Sequence, residues 1–191
     1  MNQQSSMQDK QRGGAGVAGL SAPLFLIGFM GVGKSSIAAR LGQLLSVPAR
    51  EMDDYIEEKV GLSIPEIFDQ QGEAFFREVE SAAVAELGNQ GPQVISCGGG
   101  VPMRQENVDC MRAYGVTILL TAEADTIFQR VRHNENRPLL KGNMNVAYIA
   151  QLMEQRRERY EAAADCKVST DGKTVEEICR EIVDLLSQKQ R

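Results

Sequence analysis

The sequence predicts an α/β protein in three layers, with helices on both faces of a five-stranded parallel sheet. Three observations predict it. From residue 24 onward, short apolar runs alternate with longer stretches whose apolar residues recur at helical spacing. The first run empties into a glycine-rich turn that leads straight into a helix. The 191 residues show no internal repeat and no linker, which fits one core. Strands that alternate with helices in this way pair in parallel, because each crossover packs its helix back onto the sheet.

The first element is the run at residues 24–27, Leu24-Phe25-Leu26-Ile27, read as a buried strand. It is followed by Gly28-Phe29-Met30-Gly31-Val32-Gly33-Lys34-Ser35 and then by a helical pattern over 37–45. Strand, glycine-rich turn and helix form the context in which G-x-x-x-x-G-K-[ST] is a phosphate-binding loop. Glycines let successive backbone N–H groups bend around a polyphosphate, and the helix points its positive end at the same anion. Gly31, Val32, Gly33, Lys34, Ser35 and Ser36 are the expected contacts of a bound ATP. Lys34 would reach the β- and γ-phosphates, and the Ser35 hydroxyl would sit on Mg²⁺. The alternative is a turn that caps a helix and binds nothing; the flanking elements count against it.

A short second strand within 46–52 ends at Glu51-Met52-Asp53-Asp54. Ligand-binding groups collect past the carboxyl ends of strands in open α/β sheets, so these acids are well placed for chemistry. Either Asp53 or Asp54 also suits the N-cap of the helix that follows. Ser63 with Glu66 reads as a capping box for the next helix. Residues 73–87 form a clear helix with Phe76, Val79, Ala83 and Leu87 on one face, and Arg77 and Glu80 can pair as a solvated salt bridge. The strand at 93–97 empties into Gly98-Gly99-Gly100, either a close ligand approach or a plain sharp turn. A helix at 105–114, a strand at 116–120 and a helix at 123–132 continue the alternation.

Periodicity breaks at 134–145, where Arg137-Pro138-Leu139-Leu140-Lys141-Gly142 reads as a lid over phosphates or as an ordinary surface loop. In the helix at 146–163 the apolar stripe runs Ile149, Leu152 and Met153, then Arg156, then Tyr160. A guanidinium on that stripe needs an anionic partner or must snorkel outward, and no acid lies on that face nearby in sequence. A fifth strand ends at Val168-Ser169, and Thr174 caps a last amphipathic helix. Residues 1–22 are polar, then glycine-rich, and read as a disordered tail ahead of a single domain over 23–191.

Hydrophobic residues make up 42% and charged residues 25%, as in an ordinary globular protein, and no apolar stretch approaches bilayer length. A net charge of −5 argues against nucleic-acid or anionic-membrane partners. Arg130, Arg132, Arg137, Lys141, Arg156, Arg157 and Arg159 nevertheless cluster, which favours a small, highly anionic ligand. Cys97, Cys110, Cys166 and Cys179 form no C-x-x-C pair and read as reduced thiols. The one histidine, His133, builds neither a metal site nor a triad alone. A cytoplasmic monomer is the expectation.

Taken together, the phosphate loop, Asp53-x-x-Ile56-Glu57, Gly61-x-Ser63-Ile64-x-Glu66-Ile67-Phe68, Gly72-Glu73-x-x-Phe76-Arg77-x-x-Glu80, Gly98-Gly99-Gly100 and Arg137-Pro138-Leu139-Leu140 resemble the shikimate kinases. The likeness covers residues 24–187. It implies a P-loop fold like that of the nucleoside monophosphate kinases, with a substrate-binding insert at about 53–82 and a lid at about 133–145. It further implies ATP-dependent phosphorylation of the 3-hydroxyl of shikimate, a step toward chorismate and the aromatic amino acids. By the same likeness Lys34, Asp53 and Arg137 are catalytic, and Asp53 accepts the hydroxyl proton. Arg77 and Arg156 would hold the shikimate carboxylate, with the backbone of Gly98, Gly99 and Gly100 against the ring and Arg137 reaching both ligands. Arg130 would lie near the nucleotide, and Ser35 and Glu51 would hold Mg²⁺. One departure stands out: Glu51-Met52-Asp53 replaces the family's usual Asp-x-Asp, and Glu is one methylene longer. Other readings are a kinase for quinate or gluconate, or a shikimate-binding sensor without turnover.

Overall fold

The computed structural model describes residues 20–132 and 145–189. Its centre is a five-stranded parallel sheet in the order β2-β3-β1-β4-β5. The expected α/β architecture is therefore present. Strand β1 (Leu24–Gly28) lies in the middle because all five of its residues are buried and it carries a partner on each edge. Its side chains alternate between the two faces. Leu24 and Leu26 join Ile37 and Leu41 of α1 (Lys34–Leu45) and Ile178 and Ile182 of α8 (Val175–Lys189). Phe25 and Ile27 face the opposite core.

Strand β2 (Ala49–Glu51) is shorter than the sequence suggests, because Met52 already begins α2 (Met52–Val60). Asp53 and Asp54 consequently sit in the first turn of that helix, where its dipole favours acids, and neither caps it; the N-cap position is Glu51. Helices α3 (Ile64–Gln70) and α4 (Gly72–Gly88) follow before β3 (Val94–Ser96). Ile56, Ile67, Phe76 and Leu87 seat these helices on the Phe25 face of the sheet. Glu86 of α4 staples α2 by accepting from the Tyr55 hydroxyl at 2.7 Å and from Lys59. The capping box forms as expected, with Ser63 N–H donating to Glu66 Oε2 at 2.8 Å. Thr174 and Glu177 repeat the device at the start of α8.

After a 3₁₀ turn at Val101–Met103 come α5 (Gln105–Tyr114), β4 (Val116–Thr121) and α6 (Ala124–Val131). Helix α7 (Val146–Ala163) and β5 (Cys166–Ser169) complete the order. All four cysteines are free. Residues 1–19 of the expected tail, His133, Arg137 and nearly all of the expected lid lie outside the described residues.

Candidate active site

The loop between β1 and α1 gathers its shape from glycine. Gly31 and Gly33 have φ of +77° and +103°, a left-handed backbone that side chains resist. A Cβ on Gly31 would also fall 2.5 Å from Val131 Cγ1. Gly33 is the N-cap of α1 and brings no side-chain acceptor, so the N–H groups of the first turn keep their room for an anion. Lys34 folds back across the loop, its Nζ donating to Gly28 O at 2.8 Å and Phe29 O at 3.3 Å. From α6, Arg130 ties the loop down: Nη1 donates to Val32 O at 3.2 Å and to Thr170 Oγ1 at 3.0 Å. Its Nη2 reaches Thr170 O at 3.2 Å.

Beside the loop, Glu51 pairs in register with Ser96 across β2 and β3. Its carboxyl is pushed above the ordinary carboxylate value by burial, against hydrogen bonds from the Ser96 and Ser35 side chains. The Ser35 hydroxyl and Glu51 carboxylate form an all-oxygen donor pair, which suits a hard cation such as Mg²⁺ that completes its shell with water and phosphate oxygens. Among the described residues no group of three or more His, Cys, Asp or Glu side chains is placed to hold a metal by itself. Asp53, two residues further on, borders Gly98: a Cβ there would lie 3.1 Å from both Asp53 Oδ1 and Glu80 Oε1. Gly31, Gly33, Lys34, Ser35, Ser36, Glu51, Asp53, Ser96, Gly98, Gly99 and Arg130 line one cavity of about 280 Å³. A second cavity of about 270 Å³, between the end of β4 and α7, contains none of the expected site residues.

The Arg77–Glu80 pair is not the solvated bridge that its spacing suggests. Glu80 is 1% exposed and accepts from Arg77 Nη1 at 2.9 Å, while Glu73 takes Nη2 at 3.1 Å. Burial works against the Arg77 charge, but the two carboxylates outweigh it and hold the guanidinium above its usual value. Burial also raises Glu80, with Arg77 opposing. The guanidinium lies so close to the glycine turn that a Cβ on Gly100 would be 2.2 Å from Nη1. Arg156 is half-buried, as its place on the apolar stripe implies, and its Nη1 is 3.5 Å from Gly99 O. It forms no ion pair with any carboxylate among the described residues. Arg157 and Arg159 face outward, to Glu154 and to Met103 O.

Two participants escape a reading by residue type. Tyr160 donates its hydroxyl to Gly99 O at 2.7 Å, and Thr170 anchors Arg130. Burial holds the Tyr160 phenol above its ordinary value, so it remains a donor at neutral pH. The available signal was spacing, since Tyr160 follows Arg156 by four residues and shares its helix face.

A family model described as shikimate kinase matches residues 30–187. The chain belongs to the shikimate kinase family. It is 39% identical over 163 residues to a shikimate kinase of Dehalococcoides mccartyi, covering 85% of this chain and 92% of that one. A shikimate kinase of Geobacter sulfurreducens is 38% identical over 165 residues, with coverage of 86% and 91%. Among solved structures, a shikimate kinase from Acinetobacter baumannii in complex with shikimate superposes with a TM-score of 0.83 at 27% identity, covering 88% and 94% of the two chains. The shikimate kinase of Aquifex aeolicus gives 0.76 at 34% identity, covering 88% and 98%. A gluconokinase from Sinorhizobium meliloti, at 16% identity and a TM-score of 0.57, shares the fold alone. Membership in the shikimate kinase family makes the chain an enzyme, a phosphotransferase. No helix of the described residues is long and apolar enough to cross a membrane.

Proposed function

We propose that the enzyme transfers the γ-phosphoryl group of ATP to the 3-hydroxyl of shikimate, giving shikimate 3-phosphate and ADP. The observation that carries this reading is the single cavity in which the phosphate loop, Glu51, Asp53 and the glycine turn all meet. A polyphosphate in the loop and a small polyol against Gly98 and Gly99 would then be neighbours, which is the positioning on which phosphoryl transfer depends.

The backbone of residues 31–36 and the Lys34 ammonium bind the phosphates, and Arg130 keeps the loop in place from α6. Ser35 and Glu51 would hold Mg²⁺, which would supply neutralisation of charge on the phosphates. Asp53, exposed to the cavity, orients the acceptor hydroxyl and takes its proton. Arg77 and Arg156 hold the substrate carboxylate. Their environments support this: Arg156 is half-buried with no ion pair to an acid among the described residues, and Arg77 is preset by Glu80. Arg137 belongs to the same proposal through the family likeness, outside the described residues. A monomer acting in the cytoplasm belongs to the same proposal.

A coupled assay of ADP release with shikimate, quinate and gluconate tests the reading. Turnover with shikimate far above the other two is the expected result. Preference for either alternative overturns the substrate, and shikimate binding without ADP release in the presence of ATP and Mg²⁺ overturns the enzyme.

A further inference from the structure

The glycine turn poses a conformational question that its own residues do not answer. Val101 N–H closes it on Gly98 O at 3.2 Å. Gly100, the third residue of the turn, has φ −90° and ψ −19°, the values of a type I turn. Turning over the peptide between Gly99 and Gly100 gives a type II turn with the same closing bond, provided that the third residue takes positive φ. Glycine does so freely. A side chain at position 100 would exclude that second state, but its Cβ would fall 2.2 Å from Arg77 Nη1. The selection must therefore come from outside the turn.

Tyr160 is placed to make it. Its hydroxyl donates to Gly99 O, the very oxygen that a flip would carry to the other side, at 2.7 Å. The side chain is 5% exposed near the end of α7, so packing holds the donor in place. Arg156 Nη1, at 3.5 Å from the same oxygen, is at the outer limit of a hydrogen bond and holds it weakly.

We propose that Tyr160 is a positioning residue whose hydroxyl holds the turn at residues 98–101 in its type I state, and with it the wall of the shikimate site. The proposal rests on the site reading given above. A flip would take Gly99 O off Tyr160, reverse the Gly100 N–H and move the backbone against which Arg77 lies. The effect belongs to shikimate and not to ATP, because the Tyr160 hydroxyl shares no hydrogen bond with the phosphate loop.

Tyr160→Phe in the full chain removes the hydroxyl and keeps the ring. In ligand-free protein labelled with ¹⁵N-glycine, the Gly99 and Gly100 amide resonances should broaden or double. The KM for shikimate should rise about 3- to 10-fold, the scale of one lost neutral hydrogen bond. The KM for ATP and the Tm should hold. Para-aminophenylalanine at position 160, which restores an N–H donor, should return both resonances and KM toward wild type. Unchanged glycine resonances in Tyr160→Phe overturn the proposal. So does a parallel rise in both KM values with a lower Tm, which marks a packing role. The resonances need no substrate, so failure there is distinct from failure of the substrate reading, which the acceptor panel detects.

Discussion

Lys34 and Asp53 line the same cavity, and under the proposed roles, one toward phosphate and one toward the acceptor hydroxyl, their substitutions should separate. Lys34→Ala removes a charge aimed at the phosphates and should lower kcat by about 10²-fold or more, the scale of a lost electrostatic donor. Circular dichroism should not change; full activity would remove the phosphate-loop assignment. Asp53→Asn keeps the shape and loses the base, so turnover should fall by roughly 10²- to 10⁴-fold with ATP binding near normal. Arg156→Ala behaves differently again. A charge-assisted contact to a carboxylate contributes about 1.5–3 kcal/mol, lost mainly as a raised KM for shikimate. If ATP binding weakens instead and shikimate is untouched, Arg156 belongs to the phosphate side.

At the scale of elements, the end of β2 and the start of α2 put three acids, Glu51, Asp53 and Asp54, within four residues, and burial pushes the Glu51 carboxyl above its ordinary value. Its raised folded value means that the native state binds this proton more tightly than the unfolded chain does. The associated stability is present below the ordinary carboxylate range and is lost as pH rises through the raised value. Glu51→Gln keeps an acceptor for Ser35 and Ser96 and has no charge to desolvate. The Tm of this variant relative to wild type should therefore be higher at pH 7 than at pH 4 in metal-free buffer, while Mg²⁺-dependent stabilisation by nucleotide weakens. A Tm difference that is flat across that range would show that burial of Glu51 carries no energetic weight.

Across the whole molecule, β1 feeds two cores that lie on opposite faces of one sheet. Leu26 and Phe25 are adjacent in sequence and each fully buried, one in each core. Truncation to Ala should cost about 2–5 kcal/mol at either position. Because the sheet is common to both, calorimetry should show a single transition in each variant, with calorimetric and van't Hoff enthalpies equal. A second transition appearing in only one of them would show that the faces unfold separately.

The order of strands and helices, the phosphate loop and the Ser63–Glu66 capping box were legible in the sequence. They rest on local physics: apolar period, glycine where φ must be positive, and a hydroxyl three residues before an acid. Arg156 was legible as well, because a cation on an apolar helix stripe is anomalous without knowledge of its neighbours. Asp53 was legible as a candidate acid at a strand end, yet its place inside the first turn depended on where β2 stopped pairing with β3. The burial of Glu80 came only from the tertiary structure, since an i,i+3 pair with Arg77 looks the same on a solvated face until α4 is laid against the sheet. The Tyr160–Gly99 and Arg130–Thr170 bonds join residues 61 and 40 positions apart. No periodicity encodes such distances; chain folding alone decides which carbonyl a buried hydroxyl or guanidinium will meet.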